Sequence, residues 1–213
     1  MKYKLTKNTK KYNGVTLYQI QALKNFGIVK AGDLGGYIEK KANLSQEGNA
    51  WVGDNAKVYG NAKVLENALV LGAAKVLGDA KVYGYALVYG DAVVSDNAQV
   101  FGNAKVYGNA KVYDDALVYD YAEVSGDALV YDYAEVYGNA KVYCDAQICG
   151  DAVICGNEKI CGYTLISSNK KVQNTLPEIL STLPKEVTAI TISGKNYKLE
   201  TKTEWVLQEN ESL

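Results

Sequence analysis

Neither histidine nor arginine occurs in this 213-residue chain. Histidine is the side chain that most readily exchanges a proton near neutral pH, and so the usual general base for acyl transfer to a hydroxyl or amine. Three histidines make the carbonic-anhydrase type of zinc centre. Composition excludes both, and any base here would have to be Asp or Glu. Without Arg there is no planar fork for phosphate, and the net charge is −1, so direct nucleic-acid binding is not expected. The side chains left to do chemistry are 4 Cys, 23 Lys, 24 carboxylates and 18 Tyr.

Their spacing says more than their number. Cys149, Cys155 and Cys161 are six apart, and Asp96, Asp114 and Asp132 are eighteen apart. Ala recurs at every sixth position from Ala50 to Ala152, and Val or Ile stands two residues later from Val52 to Ile154, continuing at Ile160 and Ile166. Gly36-Tyr37-Ile38 and Ala42-Asn43-Leu44 carry the pattern backwards, with two extra residues in "SQEG" before Ala50. Residues 36–167 thus hold twenty-two hexads.

The unit reads A-x-V-x-G-[N/D]. In A-x-V the small and the branched residue point the same way, because side chains alternate along a strand. Gly with Asn or Asp then makes the turn, since these residues tolerate left-handed backbone angles. One such strand cannot bury a face, but stacked copies can. The apolar period is two within a strand and six between strands, never 3.6, so a helix is excluded.

On Val106, Ala110 and their equivalents the chain resembles the hexapeptide-repeat family of left-handed parallel β-helices. That resemblance implies three hexads per triangular coil, with the aliphatic and the small residue inside. The expected fold is all-β, a single-stranded left-handed parallel β-helix of about seven coils, roughly 34 Å long at ~4.8 Å per coil. The segments "KYKLT", "LYQIQALKNFGIVKAGDLGGYIE" and "ANLSQEGNAWV" resemble the start of YdcK-like bacterial and prophage hexapeptide proteins, some of which are taken for transferases by analogy.

Open helix ends carry unpaired backbone groups that need covers. Three parts follow: an N-terminal cap over 1–35, the β-helix over 36–167, and a C-terminal cap over 168–213. The first cap reads as a hairpin, residues 2–6 and 15–22 around "YNG". The last reads as a short helix at "TLPEIL", with Thr175 and Glu178 in capping-box spacing, and then a hairpin turning at Gly194, Lys195 and Asn196. No apolar run is long enough for a membrane span and the polar start is no signal peptide, so the expected setting is cytoplasmic.

Returned to this frame, the reactive residues disperse. Cys149, Cys155 and Cys161 fall on three different sides, outward where Tyr is usual, and cannot converge on a metal. Cys144 and Cys161 lie in neighbouring coils, but a reducing cytoplasm leaves them as free thiols. Asp96, Asp114 and Asp132 stack at one corner, either as solvated turns or around a cation. Seven acids without a lysine fill 113–140, too locally and with too many intervening tyrosines for a DNA mimic. No cofactor is expected, and the uninterrupted coils leave no loop to cover an acyl donor.

What remains is surface. Residues eighteen apart lie above one another, and the outward column Leu65, Tyr83, Phe101, Tyr119, Tyr137 is aromatic or aliphatic throughout. A second column runs Leu71, Tyr89, Tyr107, Ser125, Tyr143, and a third Tyr59, Leu77, Ser95, Tyr113, Tyr131. Tyrosine is a good strand former that stacks along sheets, and it is also favoured at interfaces. The first column, with Asp120 and Glu135 at its rim, is the expected contact surface for a second copy and for a protein partner. The prophage resemblance implies a host protein, including a defence protein, as that partner. The alternatives are a transferase-like enzyme that has replaced its His base, and a binder that sequesters a nucleotide between protomers through the Lys-rich N-terminal cap.

Overall fold

The computed structural model describes residues 1–167, 171–172, 189–192, 195–201 and 204–208, with side chains placed through residue 167. The hexads form the expected β-helix. From Trp51–Val52 on, each hexad contributes a two-residue strand, and successive strands of a face pair in parallel eighteen residues apart, as Leu87–Val88 does with Lys105–Val106. Three faces result. The first runs from Trp51–Val52 to Lys159–Ile160 and the third from Lys63–Val64 to Lys171–Val172, each with seven strands. The second runs from Lys57–Val58 to Leu165–Ile166 and is extended by the N-terminal segments to ten strands. The chain visits first, second and third faces in turn, so three hexads close a coil. The parallel ladder reaches Val172, one hexad past Ile166.

The core is the repeat itself. Every Ala from Ala50 to Ala152 and every Val or Ile two residues later, through Ile154, is fully buried, and they form one continuous cluster. Full burial of a Val-sized side chain is worth about 1.5–3 kcal/mol. No helix in the described residues is long and apolar enough to cross a membrane.

The corners explain the Gly. At the fifth hexad position φ is positive throughout, from 62° at Gly150 to 76° at Gly162 where Gly stands. Where it does not, the residue is almost always an acid: Asp54, Glu66, Asp96, Asp114, Asp120 and Asp132 all sit near +50° to +59°. Several of these carboxylates accept the backbone N–H stacked above them: Asp54 from Gly72 at 2.9 Å, Glu66 from Gly84 at 3.0 Å, and Asp132 from Gly150 at 3.0 Å. The acid thus returns in hydrogen bonding part of what it costs in backbone strain.

At the N-terminus, strands Tyr3–Tyr12 and Val15–Ala22 form an antiparallel hairpin through Asn13 and Gly14, at φ 46° and 79°. Both central residues at positive φ make the turn that matches strand twist. Leu34–Ile38 then pairs antiparallel with the hairpin and parallel with Lys57–Val58, joining cap to coil. Gly35 permits this approach, since a Cβ there would lie 2.5 Å from the Trp51 ring and from the Val52 carbonyl. Tyr3, Ile20, Ala22 and Val29 enter the coil's own core, and the buried Tyr3 hydroxyl donates to the carbonyls of Leu44 at 2.8 Å and Lys41 at 3.0 Å. Lys2 is 1% exposed. Its ammonium donates to the carbonyls of Ala50 at 2.8 Å, Glu47 at 3.2 Å and Gly48 at 3.3 Å, 5.0 Å from the Phe26 ring centre. Those carbonyls belong to the first coil, which has no coil beneath it.

Three expectations need correction. Ala42-Asn43-Leu44 is not a strand rung: Lys41–Asn43 is a 3-10 turn, and only Leu44 bridges to Val64. The cause is Asn43, fully buried, whose Nδ2 donates to the carbonyls of Ala62 at 2.9 Å and Gly60 at 3.1 Å. Near the C-terminus, Lys195 and Asn196 are not turn residues but pair with Ile192 and Thr191. The hairpin is also part of a three-stranded antiparallel sheet of Ala189–Ile192, Lys195–Thr201 and Glu204–Gln208. The helix expected at "TLPEIL" lies outside the described residues.

Candidate protein-binding surface

Each hexad presents three kinds of outward side chain: one at the middle of the face, one just after the strand, and one at the end of the turn. The column Leu65, Tyr83, Phe101, Tyr119, Tyr137 occupies the second kind of position, where the third face bends into the first. Parallel in-register pairing sets each residue above the last, so the rings meet face to face. Tyr83 and Phe101 are 4.8 Å apart and within 2° of parallel, Phe101 and Tyr119 are 4.9 Å and 3°, and Tyr119 and Tyr137 are 4.8 Å and 11°. The ring spacing is that of the sheet.

This stack changes what the column offers. All five members are half-buried, and the four rings cover one another by stacking. Tyr83 Oη donates to Gln99 Oε1 at 3.2 Å, and Tyr119 Oη to Glu135 Oε2 at 3.1 Å. Burial, and then the Glu135 carboxylate, push the Tyr119 hydroxyl well above its ordinary value. Glu135 is therefore not a free rim charge but a half-buried acceptor on the third face. Asp120 is exposed, as expected, at a left-handed corner with φ 57°, and its carboxylate accepts the Gly138 N–H at 3.3 Å. The other columns stack only in part: Tyr89 on Tyr107 at 4.9 Å and Tyr113 on Tyr131 at 5.0 Å, with Ser125 and Ser95 as the breaks.

Among the residues whose side chains are described, the most exposed tyrosines lie elsewhere. Tyr85, Tyr121, Tyr133 and Tyr163 are 68, 63, 66 and 81% exposed. All four stand at the last position of the hexad, where Asn or Asp is usual. That replacement was the signal available in the sequence. A side chain there leaves the turn radially and has no ring above it. Tyr85 and Tyr121 flank the stack at the same corner.

The cysteines depart from expectation. Cys149 and Cys155 are only 6 and 2% exposed. A short side chain in the stacking position is covered by the larger ones beside it. Tyr131 lies against the Cys149 thiol, and hydrogen bonding to it, then burial, push the Tyr131 hydroxyl up. The Asp column is tied into the corner: Asp96 takes the Ser95 hydroxyl at 2.7 Å, and Asp114 takes the Asp132 N–H at 3.4 Å. Among the described residues no three Cys, Asp or Glu gather as a metal site.

Two grooves run beside the turn-end columns. One, of 590 Å³, lies on the third face, where Lys40, Lys63 and Lys81 share the walls with Asp79 and Asp115. Lys40 is bonded to Asn61 Oδ1 at 3.1 Å. These carboxylates weaken any attraction for nucleotide phosphates. The other, of 420 Å³, lies on the first face beside Tyr85 and Tyr121. There Glu123 bridges Lys105 at 3.2 Å and Lys141 at 3.0 Å, and hydrogen bonding from Lys141 leads the effects that hold its carboxyl below the usual range. No family model matches the chain, and no curated protein matches it in sequence.

Proposed function

We propose that this is a non-enzymatic interaction protein of hexapeptide-repeat type, which binds a second copy of itself and a protein partner through its tyrosine-bearing corners. The observation that carries the reading is the four-ring stack from Tyr83 to Tyr137, a ridge immobilised before any partner arrives. Rigid aromatic area contributes to binding at little entropy cost, and preorganisation raises affinity without new contacts. The hydroxyls along the ridge, two of them held by Gln99 and Glu135, give it direction. The YdcK-like start favours a bacterial or prophage source and hence a host protein, including a defence protein, as target.

The test is the double variant Phe101→Asp with Tyr119→Asp, with Asp120→Lys as a variant that leaves the stack whole. Light scattering and capture from a bacterial lysate are the readouts, and circular dichroism is the folding control. The double variant is expected to lose self-association or the captured partner, and Asp120→Lys to change the salt dependence of association more than its strength. A folded double variant that keeps its mass and captures the same protein refutes the reading.

A further inference from the structure

We infer that the first-face groove between Tyr85 and Tyr121 is a docking site for a proline-rich polypeptide segment in the polyproline II conformation. This rests on the reading that the protein binds polypeptides, but it concerns a different surface from the ring stack. Along the turn-end column leading into the first face, the chain alternates Tyr85, Asn103, Tyr121, Asn139. Both tyrosines are about two-thirds exposed and line the groove with the two asparagines.

The spacing identifies the occupant. Two coils separate the tyrosines, about 9.6 Å at ~4.8 Å per coil. A polyproline II helix repeats every three residues at ~3.1 Å each, about 9.3 Å per turn. Its prolines at positions three apart therefore present themselves to successive tyrosines. An extended strand alternates its side chains with a period of two, about 6.8 Å at ~3.4 Å per residue, and falls out of step. Polyproline II makes no internal hydrogen bonds, so its carbonyls need donors from elsewhere. Asn103 and Asn139 stand beside the tyrosines, each one coil on, and their amides can supply them. Aromatic-lined grooves that exploit this preformed helix are an established recognition mode in general.

Charge sets the flanks. The groove floor carries Lys105 and Lys141 against the single carboxylate Glu123. The surplus cation favours a segment with acidic residues beside its prolines. Pro177 and Pro184 are not three apart and do not supply such a segment.

The experiment uses the full chain and a fluorescent synthetic peptide with proline at every third position and Asp at both ends, read by anisotropy. A peptide of the same composition with proline at every second position, so that no two prolines stand three apart, and a soluble β-linked glucan, are the comparison ligands. The proposal expects binding of the spaced peptide that weakens roughly tenfold or more in Tyr85→Ala and in Tyr121→Ala, the size expected of aromatic anchors. Tyr121→Phe should keep it. The tyrosines are exposed, so thermal melts of the Ala variants should match the parent. No binding of the spaced peptide, equal binding of the two peptides, or binding of the glucan alone overturns the proposal. None of these outcomes affects partner capture through the Phe101–Tyr119 ridge, which is read separately on the variants named for it.

Discussion

Truncating Phe101 to Ala is the sharpest test of whether the ring stack holds the coils together as well as decorating them. Phe101 is the inner ring of two stacked pairs, with Tyr83 below at 4.8 Å and Tyr119 above at 4.9 Å. Aromatic pairs are worth about 0.5–1.5 kcal/mol each beyond simple burial, so the loss of two comes to about 1–3 kcal/mol. Tyr83 sits at the end of the stack above Leu65 and loses one pair, so Tyr83→Ala should cost about half of that for stacking. The pairwise part is isolated by a cycle of Phe101→Ala, Tyr119→Ala and the double variant, where a coupling of about 0.5–1.5 kcal/mol is expected. Urea unfolding followed by circular dichroism gives the totals. A stacked solenoid can open in part, so native-state hydrogen exchange should locate the loss in the coils that carry residues 83–119. A coupling below about 0.3 kcal/mol would mean that the sheet merely places the rings in register and that their contact adds nothing.

The core should be far less forgiving. Val112→Asp or Val118→Asp, at positions with no exposure, buries an unpaired carboxylate and should cost several kcal/mol at neutral pH, seen as a collapsed melting temperature. Asp132→Ala keeps a non-glycine residue at φ 58° and removes the acceptor of the Gly150 N–H, so it should cost about 1–2 kcal/mol, whereas Asp132→Gly, which relieves the strain, should lie within about 0.5 kcal/mol of the parent in the same denaturation assay. Lys2 provides a pH test. Burial, then repulsion from Lys24, lowers its ammonium to about 8, against 10.5 for the unperturbed group. Between those values the unfolded chain holds a proton that the folded chain has shed, so stability rises with pH; below about 8 both states are charged and the cost is constant. Buried tyrosines such as Tyr3, pushed up to about 12, act in the opposite sense once free tyrosine ionises near 10. The melting temperature should therefore climb from about pH 8 to about pH 10, and the climb should shrink in Lys2→Met.

The repeat determined the fold class by itself, because a period of six with Ala and branched residues two apart has one way to bury its apolar positions. Val106 and Ala110 needed no coordinates to be placed inside, and the positive-φ corners followed from Gly, Asn and Asp. With the three hexads per coil that the family resemblance implies, the period placed residues eighteen apart above one another, so the column from Leu65 to Tyr137 was legible as a column. Its exposure was not, because ring overlap depends on how closely the coils approach and on χ angles that no periodicity encodes. For the same reason Cys149 and Cys155 looked like surface thiols and proved covered. Departures from the repeat were the hardest to read. Asn43 occupies an outward position by pattern, yet in the first coil it turns inward to meet carbonyls of the next, and it converts a rung into a 3-10 turn. Lys2 lies outside the repeat altogether, and only the folded hairpin brings its ammonium to the carbonyls of Glu47, Gly48 and Ala50. A periodic sequence dictates what happens between equivalent neighbours, whereas an end has neighbours on one side only, and what closes it is decided by the contacts that tertiary structure makes there.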